Sequence, residues 1–476
     1  MRESQASADH GGTDFARVFA DFSASLTAAA LPFEVRQAVK ANVLDTLACA
    51  VAGSNAPGVA DVRELVESWG GAPQAAVWCG ATRLPAHHAA WLNGMMAHAR
   101  DYDDTHDAAV LHAGVSVVPA ALAAAELRPA ATGGDLISGI AAGLELICRL
   151  GVATTIGIID SGFIYSSLFG YFGATAAAAR VLGFDAAQTV NALGIVYSQA
   201  AGTHQVTRDG ALTKRMQPGF AAKAALVSVQ LAQKGILGAR NTFEGVDGLF
   251  RTYLRGSYNP EILRADLGRH FELMELSYKP YPCCRFNHTA IDAAFAARRQ
   301  PGFDAARVRR IAVGVNHQAY EAVCTPPDIR RHPKTIVQAQ FSIPFTVAAA
   351  LIDGRVTLGH FTEDGIRRPD ILALAEKVEC AVDADIERDW GRAISPTRLL
   401  VEAGNATLEE RTDYPRGHPA FPMTGPDIAA KLEDCLTFSA LDWPPGMSGL
   451  LRDSVGGLEQ LSRARDLNDI LARPPL

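Results

Sequence analysis

Residues Val308–Val315 read Val-Arg-Arg-Ile-Ala-Val-Gly-Val, the β-branched alternation of a strand with one face turned inward. What makes this stretch decisive is its surroundings. Upstream, from Phe15 to about Leu254, apolar residues recur at three- and four-residue steps, as in Phe15, Val18, Phe19, Phe22 and again in Val39, Val43, Leu44, Leu47. That is the helical period, and it predicts helices at 119–127, 134–150, 175–182, 187–200 and 220–234. Thr132-Gly-Gly-Asp135 supplies an N-cap for the second of these, and Gly183 closes the third. Around the decisive strand the pattern is mixed. Segments 270–277, 399–401 and 407–411 also read as strands, with helices at 288–298 and 343–352 between them. After the Pro, Gly and His cluster of 414–422, helices resume. The expected fold class is therefore mainly α with an inserted α+β domain: a first helical part over 1–269, the α+β segment over 270–410, and a helical part over 411–476 that packs back on the first.

Composition narrows the partners. The chain has 476 residues and a formal net charge of −7; 48% of it is hydrophobic but only 7% aromatic, because alanine carries the apolar content in runs such as Ala176–Ala179. Alanine favours helix and lets helices approach closely. A chain this long and apolar buries a large core, which excludes intrinsic disorder. With 20% charged residues and no long basic run, nothing recommends nucleic acid or an anionic membrane as a partner. Segments 108–125 and 161–179 are long and free of formal charge, yet they are built of alanine, glycine and serine rather than leucine, and read as buried helical segments rather than membrane spans. The stretch 1–12 has no basic-then-apolar leader pattern, so the expected location is cytoplasmic. Eight scattered cysteines with no CxxC pair are expected to be reduced thiols.

Three polar constellations could carry chemistry. The first is His98-Ala-Arg-Asp-Tyr-Asp-Asp-Thr-His-Asp107 followed by His112, holding four aspartates and three histidines. It suits acid/base work; at least one of Asp103, Asp104 and Thr105 is expected to serve only as a helix cap, and the spacing fits no common metal motif. The second runs from Thr203-His204 to Thr213-Lys-Arg-Met-Gln-Pro-Gly219, where adjacent Lys and Arg ahead of a helix could hold an anion or form a solvated basic turn. The third is Ser277-Tyr-Lys-Pro-Tyr-Pro-Cys-Cys-Arg-Phe-Asn-His288. Its prolines stiffen an extended segment at the junction of the helical and α+β parts, a common place for a small-molecule site. Its paired cysteines read most simply as small buried residues.

In this order, and together with Val43-Leu-Asp-Thr-Leu47, Phe172-Gly-Ala-Thr-Ala-Ala-Ala-Ala-Arg180, Ala339-Gln-Phe-Ser342, Gly417-His-Pro419 and Pro422-Met-Thr424, these constellations resemble the MmgE/PrpD family over nearly the whole chain. The resemblance implies a large helical domain, a smaller α+β lid, a homodimer, no metal or organic cofactor, and a polycarboxylate substrate in the cleft between the domains. It also implies the site residues: Asp101, His112, Tyr165 and Lys214 for chemistry, and Thr105, Lys279 and Arg285 for holding carboxylates. Tyr165 enters because the sequence departs from the family. Many members have Gly-Phe-His where this chain has Gly162-Phe-Ile164, and a histidine often stands where this chain has Gln217. The resemblance implies a lyase, first a dehydratase of a 2-methylcitrate-like hydroxy acid. Alternatives are an epimerase of an amino or imino dicarboxylate, a decarboxylase of a cis-aconitate-like acid, and a carboxylate-binding homologue without activity.

Overall fold

The computed structural model describes residues 13–391, 394 and 396–472, and the stretch 1–12 read for a leader lies outside them. The fold is mainly α-helical with an α+β unit. Helices Phe33–Gly53, Ala86–His98, Gly114–Leu127, Gly133–Ala153, Gly170–Val181 and Thr213–Gln233 share one core. Met447, Leu451, Leu458 and Leu467, from the far end of the chain, belong to that same core.

Small residues set the helix spacing. A Cβ on Gly219 would stand 2.3 Å from the Trp91 carbonyl oxygen, so helices Ala86–His98 and Thr213–Gln233 cross almost backbone to backbone. The crossing brings Lys214, in the first turn of one helix, against His98, the last residue of the other. Two helices begin earlier than their periodicity suggests. Pro119 and Pro218 lie inside Gly114–Leu127 and Thr213–Gln233 rather than at their starts, where a missing N–H forfeits only one early bond.

Among the described residues one helix, Gly133–Ala153, is long and apolar enough to cross a membrane, and it lies almost wholly buried in the protein. Thr132 and Asp135 form a reciprocal cap at its start. Inside it, Arg149 pairs with Glu145 at 2.5 Å and donates to the carbonyls of Ala265 and His270, while Glu145 accepts from Leu273 N–H. These bonds draw 265–273 onto the helix. The strand expected over 270–277 is in consequence mostly a 3-10 turn, Glu272–Glu275, and only Leu276–Ser277 is extended.

The α+β unit holds a four-stranded sheet of β1 (Val308–Val315), β2 (Val378–Val382), β3 (Thr397–Ala403) and β4 (Ala406–Thr412), in the order β2-β1-β3-β4. Only β1 and β2 are parallel. Helices His288–Arg299 and Ile343–Asp353 contribute Ile291, Ala294 and Val347 to a second core with Ile311, Val313, Leu399 and Val401. The first core runs on through Leu276 and the second begins at Tyr281. Lys279 lies in the gap between them.

Candidate functional site

The polar block of 98–112 is tied to this gap by two short strands. Thr105 pairs with Ser277 and His106 with Leu276. Four residues before Thr105, Asp101 takes a left-handed backbone with φ 55°, which turns the chain out of helix Ala86–His98. Lys279 is fully buried; its Nζ donates to the Asp101 carbonyl at 2.9 Å and lies 3.6 Å from the Asp101 carboxylate. Lys214 Nζ approaches the other carboxylate oxygen at 3.4 Å. Burial alone would raise the Asp101 carboxyl, but the ammoniums of Lys279 and Lys214, with His112, outweigh it and hold it well below the usual carboxylate range.

Behind this charge cluster stand two histidines on one carboxylate. His98 Nδ1 lies 2.9 Å and His112 Nδ1 3.2 Å from Asp103 Oδ2, and His112 Nδ1 is also 2.6 Å from the Asp104 carbonyl. With acceptors on that side, Nδ1 of each ring is assigned a proton, and Nε2 is the ring nitrogen turned elsewhere. His98 Nε2 accepts from Lys214 Nζ at 3.4 Å. Burial lowers the His112 imidazole to about 4, with Asp103 only partly opposing it, so His112 is neutral near pH 7. Burial would raise Asp103, yet His112 and His98 outweigh it and hold the carboxyl low. Asp104 is the expected cap: it accepts from the N–H groups of Ala113 and Gly114 at the start of helix Gly114–Leu127. Burial and then the neighbouring Asp103 push it up to about 7.

The cleft itself is walled by His98, Asp101, Lys214 and Arg215 on the helical side and by Gln340 and Phe341 on the α+β side. Its volume of ≈ 20 Å³ has room for water but not for a tricarboxylate. Phe341 lies under the Lys214 ammonium at 5.5 Å, and Gln340 bridges the carbonyls of Arg100 and Pro282. Arg215 is buried, and its Nη1 has no hydrogen-bond partner among the described residues.

Of the residues expected from the sequence, Asp101, Thr105, His112, Lys214 and Lys279 come together; Thr105 Oγ1 stands 3.5 Å from His112 Nδ1. Two do not join them. Arg285 commits its guanidinium to Asp107, at 3.1 Å, to the Arg416 carbonyl and to His288, so it is a buried clamp between domains rather than a free cation. Tyr165 directs its hydroxyl to the Ile156 carbonyl at 2.5 Å and packs on Phe169. His98, Asp103, Arg215 and Gln340 were missed as site residues. The first three stood in the quoted constellations, and only their side-chain directions select them. His204 is a further histidine close by: its backbone N–H donates to the Gly162 carbonyl, two residues before Ile164, and its Nδ1 is buried without a partner among the described residues.

Donor atoms of His98, Asp103 and His112 lie within 4.8 Å of one another, so a metal ion could be held there, a grouping the sequence spacing did not signal. The hydrogen bonds to Asp103 already account for the arrangement, and the Lys214 ammonium beside His98 opposes a second cation. Cys283 and Cys284 are free thiols. Burial raises both, Cys284 to about 11, which removes the thiolate a nucleophile or ligand needs.

Residues 17–261 match the MmgE/PrpD N-terminal domain and residues 281–441 the MmgE/PrpD C-terminal domain. The chain belongs to the MmgE/PrpD family. The cis-aconitate decarboxylase-like protein oryM of Aspergillus oryzae is 27% identical over 461 residues, 93% of each chain. Cis-aconitate decarboxylase of Aspergillus terreus is 26% identical over 93% of each chain, and that of Homo sapiens is 26% identical over 92% of this chain and 91% of its own. This MmgE/PrpD protein is thus of a lyase-type family. The dehydratase expectation gains no such support from these relatives.

Proposed function

We propose that the chain is a lyase that decarboxylates a small unsaturated tricarboxylate of the aconitate class. The observation that carries this reading is the convergence of Lys214 and Lys279 on one carboxylate, Asp101, with the His98–Asp103–His112 group against it. Full-length relatives named as cis-aconitate decarboxylases support the choice of leaving group.

The chemistry follows from charge. As the bond to the departing CO₂ breaks, its electron pair forms a new double bond and displaces the old one, so charge grows on the carbon α to a second carboxylate. Cations beside that carboxylate stabilise the transition state more than the ground state. Lys214, Lys279 and Arg215 supply them. The α carbon then takes a proton. His112 is neutral in the free protein, but a bound trianion favours its imidazolium, which delivers the proton from Nε2. Because the cleft is narrow, binding includes a separation of Gln340 and Phe341 from the helical wall. The same reading takes the chain as a homodimer, which sedimentation velocity measures.

Dehydration of a hydroxy tricarboxylate is the second reading, favoured by the neutral His112. Its Nε2 accepts the α proton, the C–H pair forms the double bond, and the hydroxyl leaves with a proton from a lysine ammonium. Incubation with cis-aconitate, and separately with 2-methylcitrate, in D₂O followed by NMR tests both. Released CO₂ with a new terminal methylene supports decarboxylation. New olefinic carbon signals from methylcitrate without CO₂, with a vinyl proton or an allylic methyl singlet according to the side of elimination, support dehydration, and deuterium exchange alone, or no change with either acid, overturns both.

A further inference from the structure

A second cavity, of ≈ 500 Å³, shares no lining residue with the narrow cleft. Five cationic side chains line it, Arg298, Arg299, Arg355, Arg416 and Lys431, against the two carboxylates of Asp427 and Asp434. Two of the cations are already engaged. Lys431 is held by Asp45 at 2.5 Å, and Arg416 Nη1 by Asp427 at 2.9 Å. The Arg355 charge acts on the Asp434 carboxyl, and against Asp45, Asp427 and Asp434 the five cations keep an excess of positive charge. Arg298 gives one nitrogen to a backbone carbonyl, that of Leu351, which leaves its charge uncompensated. Arg299 and Arg355 are exposed and form no salt bridge among the described residues. Arg416 Nε is buried and has no hydrogen-bond partner among the described residues, while Nη1 of the same guanidinium is held by Asp427.

An unfilled donor at the end of a pocket with excess positive charge is the arrangement that takes an anion. Guanidinium groups offer paired N–H donors that match the oxygens of a phosphate or carboxylate. We infer that this cavity is a second anion site, for a small multivalent phosphate or carboxylate, separate from the cleft. It lies outside the proposed reaction and does not depend on it.

The two sites share a wall. Tyr102 and Pro280 line the cavity, and they are the chain neighbours of Asp101 and Lys279. Tyr102 donates its hydroxyl to the Pro280 carbonyl at 3.2 Å and accepts Lys431 on its own carbonyl at 2.8 Å. Lys431 thus ties the cavity to Tyr102, the chain neighbour of Asp101.

Isothermal titration of the intact protein at fixed ionic strength, with inorganic pyrophosphate in one arm and citrate in the other, tests the inference and distinguishes the two chemistries. Saturable binding is expected in at least one arm. It persists in Lys214→Met, which removes a cation of the cleft, and it weakens at least tenfold in the double variant Arg299→Glu with Arg355→Glu. Both arginines are at the surface, and a far-ultraviolet circular dichroism spectrum checks that the double variant is folded. Loss of binding in Lys214→Met with retention in the arginine variant would assign the anion to the cleft and overturn the inference, as would the absence of saturable binding in both arms.

Discussion

The Lys279 ammonium holds Asp101 twice, by a 2.9 Å hydrogen bond to its backbone carbonyl and by a 3.6 Å ion contact to its carboxylate. One bond fixes where the residue is and the other fixes its charge. Removing Lys279 leaves the Asp101 carboxylate with Lys214 alone and its carbonyl without that donor, a loss at the lower end of the range for breaking a buried pair, about 3 kcal/mol. Lys279→Met is therefore expected to lower both the unfolding free energy, by roughly that amount, and turnover, by at least about 100-fold on the scale of a lost electrostatic donor. Lys214→Met is different. Its side chain keeps 17% exposure and leaves Asp101 still paired with Lys279, so turnover falls comparably while stability changes by about 1 kcal/mol or less. Urea unfolding beside steady-state kinetics separates the two variants; equal stability losses would contradict the division of labour.

Two buried groups in this cluster respond to pH with opposite sign. His112 is lowered to about 4, so the fold requires it neutral while the unfolded chain charges it below its ordinary value of 6.5. Stability from this group is complete above 6.5 and is lost as pH falls toward 4, by about 3 kcal/mol in all. Asp104 is raised to about 7, so the folded chain holds a proton that the unfolded chain binds only near 3.8. Its contribution grows as pH falls from 7 toward 4, by about 4 kcal/mol. The wild-type stability contributed by this pair is thus nearly flat from about pH 7 to 5. His112→Gln is expected to become more stable relative to wild type on acidification and Asp104→Asn less so, measured by denaturant midpoints at about pH 7 and 5. Parallel profiles for the three proteins would show that neither shift exists.

A chelator distinguishes the two uses of His98, Asp103 and His112. If the group works as a hydrogen-bonded relay, dialysis against EDTA leaves turnover within about twofold, because both Nδ1 atoms already face Asp103. Loss of activity that returns on adding one divalent ion would make the same three residues ligands.

The helical frame was legible because burial leaves a period: Val39, Val43 and Leu47 face one core and alternate with polar neighbours. The insertion was legible in Val308–Val315, where the period changes to two and the structure has β1. Segment 270–277 was misread because its neighbour decides its shape: Glu145 and Arg149, more than a hundred residues upstream, hold it in a turn. In the site, Asp101, Lys214 and Lys279 lay in the three polar constellations, and the family resemblance singled them out there. Arg285 has the same residue type in the same kind of segment, but Asp107 captures it, and nothing local announces that contact. Tyr165 shows the same limit, since its hydroxyl, next in the chain to Ile164, points to the Ile156 carbonyl.

The close helix crossing at Gly219 yields a prediction about position rather than charge. An added Cβ there meets the Trp91 carbonyl oxygen at 2.3 Å, a backbone atom that no rotamer can move aside. Relief comes only by parting helices Ala86–His98 and Thr213–Gln233, which costs about 1–3 kcal/mol as overpacking. The same displacement carries Lys214 away from His98 and Asp101, whose contacts with it are both 3.4 Å. Gly219→Ala is accordingly expected to lose turnover about as far as Lys214→Met while still binding at the Arg299 and Arg355 cavity, which has no lining residue in helix Ala86–His98 or Thr213–Gln233. Ala225→Gly, in the same helix and buried in the core, is the control: it loses about 1–2 kcal/mol from helix propensity and the missing methyl and keeps its activity. If Gly219→Ala retained full turnover with only a stability loss, the crossing would serve packing alone, and Lys214 would have to be positioned by Phe341 on the opposite wall.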